Sequence, residues 1–414
     1  VTILRTLALT QGSVADVLIE SGSRLPASDL GPAGESFRDE YRQFIVEQDA
    51  RDKAPNPMVS DDTLIEAIAR NGWLGFAWPE ELGGRKATLA EQVVLSEETT
   101  YNRVPASKAL SAVTLLGSSI IRHGSQAQKD TFLPLIKKGK INFCLGYSEP
   151  EAGSDLASLR TKAVPDGDEW VINGQKLWTT NAHKSDWVWL AARTDPDAKP
   201  KQAGITMFLF SLETPGITIQ QHTALTGEVS CSVFYDNVRI PDSARVGEVN
   251  GGWKVILNAL AGERISMGNI AATLRRQLDD LLDHVRSHPG GPEAVVGNRG
   301  SAQRALINRL AVRVQATRAL VGAAVKASST DAGAMFDAPM AGVMGGDLAE
   351  EFGEAMLEIF GPVAALSAGS ADTVDVPGGG TFEYGLRQSI MYVVGGGTND
   401  IQRGLIARGI GLPR

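Results

Sequence analysis

The residues best suited to chemistry cluster between Cys144 and Asn181, CLGYSEPEAGSDLASLRTKAVPDGDEWVINGQKLWTTN. Ser148 and Ser154 put hydroxyls beside backbone N–H groups in a polar turn, a set of donors and acceptors for a polar ligand. Gly153 lets the chain turn sharply there. Trp170-Val171-Ile172 and Leu177-Trp178-Thr179-Thr180 read as short strands, with tight turns at Asp166-Gly167-Asp168 and Asn173-Gly174. An ordinary β-hairpin behind an ordinary loop has the same pattern, so the residues alone leave both readings open. Other chemistries are weaker. His284 and His288 stand four apart on a helix with no accompanying HExxH-type carboxylate, and His123, His183 and His222 are scattered, so no metal site is expected. No Gly-x-Gly-x-x-Gly follows a strand, which argues against a nicotinamide site. Gly395-Gly396-Gly397 reads as a flexible turn rather than a phosphate cradle.

The elements that must hold these residues follow from periodicity. With 414 residues, the chain has ample material for a core and for two or three domains or one multi-lobed fold. From Gly34 to about Lys140 the pattern is helical. Phe37, Tyr41, Phe44 and Ile45 form one face; Asp61-Asp62 cap an apolar stripe through Leu64, Ile65 and Ile68. Trp78-Pro79-Glu80-Glu81-Leu82-Gly83-Gly84 is a breaker cluster, and helices are predicted over 89–103, 109–124 and 126–136. From Ile141 to about Val249 the period changes to β-branched and aromatic runs at 187–192, 205–210, 217–219 and 232–235, which predict a β-barrel or sandwich. From Trp253 onward helices return: one long helix over 257–285, then 302–329, 348–360, 384–393 and 399–410. The domain division expected is 1–33 as an extension, 34–140 helical, 141–249 β and 250–414 helical.

Composition narrows the partners. A formal charge of −8 argues against nucleic acid as the main partner. Two cysteines, Cys144 and Cys231, cannot build a disulfide framework and read as buried thiols. No apolar run is long enough to span a bilayer, and residues 1–30 lack the apolar core of a signal peptide, so a cytoplasmic protein is expected.

The two halves of the 144–181 stretch, Ser148-Glu149-Pro150-Glu151-Ala152-Gly153-Ser154-Asp155 and Asn173-Gly174-Gln175-Lys176-Leu177-Trp178-Thr179-Thr180-Asn181, resemble the flavin-binding signature of the acyl-CoA dehydrogenase family. The Trp78–Gly84 loop and Phe234–Pro241 resemble further landmarks, and the likeness runs over about residues 34–412. It implies an α+β fold of helical, β and helical domains, an FAD cofactor and oxidation of acyl-CoA thioesters. In that reading Tyr147 and Ser148 contact the flavin's pyrimidine edge, Trp178 packs against its ring, and Thr180 hydrogen-bonds near N5. Ser154 lies by the pyrophosphate or the thioester chain; Gly153 and Thr398 complete the cofactor set. An aromatic plate with fixed hydroxyls suits a flat redox ring, although core filling is the ordinary role of such a tryptophan.

The reaction needs a base for the α-proton. Most members of the family carry a Glu in the turn that here reads Gly395-Gly396-Gly397-Thr398-Asn399-Asp400-Ile401-Gln402-Arg403. Gly396 holds the base position and cannot take a proton, though its N–H can still donate to a thioester carbonyl. A minority of the family places its base on the helix after the β-domain, and Glu263, beside a substrate-binding Arg264, fits that pattern. The rival is a surface Glu263–Arg264 pair. The likeness also implies a neighbouring subunit that completes the flavin site through Arg-x-x-Phe-Gly and Gln-x-x-Gly-Gly motifs. Residues 284–302 hold no such first motif, and the second reads Glu358-Ile359-Phe360-Gly361-Pro362, with a carboxylate that would repel a pyrophosphate. This pattern resembles subunits of heteromeric actinobacterial acyl-CoA dehydrogenases that act on sterol side chains. Expected partners are therefore an acyl-CoA or carrier-protein thioester, an electron-transfer flavoprotein, and an oligomer of the tetramer or α2β2 kind. Two alternatives remain: a flavin monooxygenase on the same fold, which needs no α-proton base, and a non-catalytic partner subunit.

Overall fold

A computed structural model describes residue 18 and residues 24–53, 60–261, 263–287, 300–327, 334–367 and 376–412; the side chains of 260–267, 300–301 and 334–337 lie outside that description. The chain forms two compact units, one of Val1–Pro55, Thr88–Val104 and Arg264–Arg414, the other of Asn56–Ala87 and Pro105–Glu263. Packing does not follow chain order, because the early helices divide between the two.

In the second unit, α2 (Asp62–Arg70; α1 belongs to the first unit) starts where expected, with the Asp61 carboxylate accepting from the N–H groups of Thr63 and Leu64. The helix predicted over 109–124 is interrupted. Helices α4 (Ser107–Ser111) and α5 (Ser118–His123) flank a π-helical segment, Ala112–Gly117. Gly117 leaves the Trp78 indole the space a Cβ would take. Helix α6 (Gln126–Lys137) opens on a capping box between Ser125 and Gln128.

The sheet follows: β1 (Phe143–Gly146), β2 (Lys162–Asp166), β3 (Glu169–Lys176), β4 (Trp187–Arg193), β5 (Ile205–Ser211), β6 (Ile217–Thr223), β7 (Val229–Pro241) and β8 (Arg245–Val246). These eight strands form one sheet in the order β6-β7-β3-β2-β4-β5-β8, with β1 parallel beside β4. The 166–168 turn forms as predicted, closing the β2–β3 hairpin with Gly167 at φ +67°. Two expectations fail. Asn173-Gly174 is not a turn but an irregularity within β3 against β7, and residues 177–180 are not a strand, since β3 ends at Lys176. Gly174 sits at φ +152°, and a Cβ there would stand 2.6 Å from Thr161 Oγ1. Gly174→Ala is therefore expected to cost about 1–3 kcal/mol, read as a lower urea midpoint at unchanged slope; an unchanged midpoint would contradict this packing. Helix α7 (Gly252–Ala261) packs on this sheet, with Val255 and Ile256 buried among Trp189, Met207 and Leu209.

In the first unit, α1 (Gly31–Glu47) buries Phe37, Tyr41, Phe44 and Ile45, the face its spacing predicts. It packs on α3 (Leu89–Tyr101), which Thr88 and Glu91 cap reciprocally. Where one long helix is expected over 257–285, the described residues are helical in α7 and in α8 (Glu263–Ser287); Gly262 between them lies outside the described residues. The loop expected at 288–299 lies outside them too. Then come α9 (Gly300–Ala327), α10 (Ala334–Phe360), α11 (Thr381–Val394) and α12 (Asn399–Gly409). Helix α10 starts well before the predicted Leu348. Gly345 within it serves packing: a Cβ there would lie 2.8 Å from Ile270 of α8, so glycine lets the two helices approach. Leu274, Leu278, Leu282, Leu310, Val314 and Phe352 fill the core between them. Among the described residues no helix is long and apolar enough to cross a membrane.

Candidate functional site

Both halves of the 144–181 stretch meet in the second unit. Strand β1 delivers Tyr147 and Ser148 beyond its end, and β3 delivers Trp178 and Thr180 beyond its own. The Leu177 N–H donates to Ser148 O at 2.8 Å and ties the two exits together.

A buried ion pair holds this junction. Lys176, fully buried, donates to Glu149 Oε1 at 2.7 Å and to Tyr147 O at 3.0 Å. The Glu149 carboxylate also accepts from the backbone N–H groups of Arg160 (2.6 Å) and Thr161 (2.9 Å). Burial pulls Lys176 down to about 8, against the pull of Glu149. Burial would raise Glu149, but Lys176 and the Thr161 N–H outweigh it and leave the carboxyl below its ordinary value. Neither residue was assigned a role from sequence. Both letters lie inside the quoted motif halves, but nothing local to either says that they meet.

Trp178 is the unusual residue. Its backbone lies in the left-handed region at φ +60°, rare for a bulky side chain, and its indole is 62% exposed. The residues on either side are pinned, Leu177 as above and Thr179 by its N–H to Cys231 O at 3.0 Å. The His222 ring meets it T-shaped, at 6.1 Å between centroids. A core role for Trp178 is thus excluded: the strained backbone holds a large aromatic face out of the unit, beside half-buried Ser148 and Thr180.

The remaining residues behave less uniformly. The Tyr147 ring turns inward, where its hydroxyl accepts from Trp189 Nε1 at 2.9 Å and burial raises its pKa. Gly153 and Ser154 lie exposed in the loop. Gly153 is not in the left-handed region, and a Cβ there would meet open space, so the turn itself does not require glycine. Cys144 and Cys231 are buried free thiols, and burial pushes Cys144 up to about 12, which makes it inert.

In the other unit, Gly396 (φ +70°) and Gly397 (φ +113°) form an exposed left-handed turn between α11 and α12. No partner for the Gly396 N–H exists among the described residues. The Thr398 hydroxyl accepts from the Ile401 N–H and caps α12. Glu358 is exposed in the last turn of α10, where the negative end of the helix adds to its charge. Glu263 and Arg264 open α8, and their side chains lie outside the described residues.

Models of the three domains of the acyl-CoA dehydrogenases match the chain in order: the N-terminal domain over residues 32–140, the middle domain over 144–238 and the C-terminal domain over 250–411. The chain belongs to the acyl-CoA dehydrogenase family. It is 33% identical over 368 residues to the acyl-CoA dehydrogenase FadE26 of Mycobacterium tuberculosis, covering 84% of this chain and 87% of that one. Among solved structures it is similar to the Tcur3481-Tcur3483 steroid ACAD, with a TM-score of 0.81 and 32% identity over 93% of this chain and 99% of that one. It is also similar to the ChsE4-ChsE5 complex from Mycobacterium tuberculosis, with a TM-score of 0.79 and 29% identity over 93% and 98%. The fold expected from the likeness, helical then β then helical, is the fold observed, and the family is one of oxidoreductases that generally bind FAD.

Proposed function

We propose that this chain catalyses FAD-dependent α,β-dehydrogenation of an acyl-CoA thioester, with electrons passing on to an electron-transfer flavoprotein. The observation that carries the cofactor reading is Trp178: an exposed indole on a left-handed backbone, close in the chain to half-buried Thr180 and tied through Leu177 to Ser148, fits one face of a flat ring. The Glu149–Lys176 pair positions both flanks of that plate. Bound FAD supplies the hydride acceptor. On the protein side, Glu263 removes the α-proton, the Gly396 N–H donates to the thioester carbonyl as negative charge develops there, and Arg264 and Ser154 hold the substrate. Gly396 lacks the side chain that most of the family carries here, which leaves room for a bulky acyl group. The resemblance to a steroid ACAD supports a sterol-type chain.

The chain works with a second dehydrogenase-like chain. Glu358 at the end of α10 disfavours a neighbour's pyrophosphate, so a partner would complete one flavin half-site. The outer faces of α11 and α12 expose Ile390, Val394, Ile401 and Leu405, an apolar strip suited to such a partner. The test is anaerobic mixing of the flavin-loaded protein with a panel of acyl-CoAs, with and without candidate partner chains. Bleaching of the flavin's visible absorbance by bulky acyl-CoAs, strongest with the partner, is the expected result. Oxygen consumption by reduced flavin without bleaching by any thioester would overturn it in favour of a monooxygenase. Full flavin loading of the chain as a homo-oligomer would overturn the partner.

A further inference from the structure

The backbone on either side of Trp178 is tied down, but those bonds leave the two side-chain torsions of the indole free. A mostly exposed ring has few neighbours to choose its rotamer. A plate that receives a flat ligand needs a fixed tilt as well as a fixed base.

His222 stands where that tilt can be set. It lies on β6, the edge strand of the sheet. Ile217 and Ile219 of β6 pack against the buried cluster that holds Val233 and Tyr235. By the two-residue period of a strand, His222 projects from the opposite face, with Thr218 and Gln220. Those two are exposed, whereas His222 is half-buried. The indole of Trp178 accounts for the difference: the two rings meet edge to face, 76° between planes and 6.1 Å between centroids. They meet across β7. The N–H groups of Thr179 and Asn181 donate to Cys231 O and Val229 O, so the chain beyond Trp178 runs along β7 on the side that β3 occupies. His222 stands on the other side of β7, opposite Ser230. Ser232, its diagonal neighbour on the same face, brings Oγ to 3.4 Å from His222 Nε2 and orients the imidazole. Core packing makes no demand for a ring at this position.

We propose that His222 is a positioning residue for the cofactor plate, its ring buttressing the Trp178 indole at the tilt that receives one face of the flavin. The proposal rests on the reading of Trp178 as the flavin's contact, and His222 acts through Trp178 alone. The test compares His222→Ala, His222→Phe, Trp178→Ala and the double variant Trp178→Ala/His222→Ala in the full chain. Flavin affinity is read by fluorescence titration. The mobility of the indole is read before flavin is added, by acrylamide quenching, with the emission of Trp178 taken as the difference between chains with and without it. His222→Ala is expected to weaken flavin binding about 2–10-fold, the range for losing one aromatic pair, and to make Trp178 more readily quenched. His222→Phe keeps the ring and should stay within about twofold of wild type. The double variant should bind flavin no more weakly than Trp178→Ala, because His222 has lost the ring it acts on. Losses that multiply in the double variant, wild-type affinity and quenching in His222→Ala, or a phenylalanine no better than alanine would overturn the proposal. So would a large fall in the urea midpoint of His222→Ala, since that marks a role in folding. Wild-type flavin affinity in Trp178→Ala would overturn the plate itself; a loss there with none in His222→Ala would overturn the buttress and leave the plate standing.

Discussion

Glu263→Gln is expected to lower acyl-CoA oxidation by about 10²–10⁴-fold while leaving flavin content unchanged, the usual range for losing a general base. The amide preserves size and hydrogen bonding but cannot accept the α-proton. Gly396 has no side chain, and its φ of +70° is one that glycine adopts freely and a glutamate adopts rarely. The resemblance implies that a minority of the family carries its base on the helix that Glu263 opens. Steady-state rates with a thioester that bleaches the wild-type flavin, taken across pH, check this. The acidic limb of kcat/KM should vanish in the variant; a rate within threefold of wild type would end the assignment of Glu263 as base.

Lys176→Met carries the second large effect. Lys176 is completely buried, and its removal leaves the Glu149 carboxylate, still bonded to the Arg160 and Thr161 N–H groups, without its counter-charge. Breaking a buried pair from one side costs about 3–5 kcal/mol. Loss of the bond to Tyr147 O should also loosen the segment that carries Ser148, so flavin affinity should fall together with stability. Urea denaturation and flavin fluorescence titration read the two effects. The double variant Lys176→Met/Glu149→Gln should cost less than the sum of the single changes, because it removes both charges at once. A midpoint equal to wild type would show that the pair does not hold the junction.

Local pattern was legible wherever one face of an element is buried. The α1 stripe, the Asp61 cap, the Gly167 turn and the four principal strand runs need only nearest-neighbour spacing to be read. The misreadings have a common cause. Asn173-Gly174 has turn chemistry but lies inside β3, where Thr161, just before β2, fills the space over Gly174. Gly345 looks like a helix breaker but sits within α10, because Ile270 of α8 packs against it. In each case a residue distant in sequence gives the glycine its meaning.

The same division separates the parts of the site. The amino-acid order alone decided the family, the succession of helical, β and helical segments, and the absence of a proton acceptor at position 396, since no arrangement in space gives glycine a carboxylate. Tertiary structure alone decided that Trp178 faces outward on a left-handed backbone, that Lys176 neutralises Glu149, and that Arg275 reaches Leu25 O. Hydrophobic periodicity reports only which face of an element is covered. Which charge meets which, and which ring stays uncovered, is set when segments 27 or 250 residues apart close on one another.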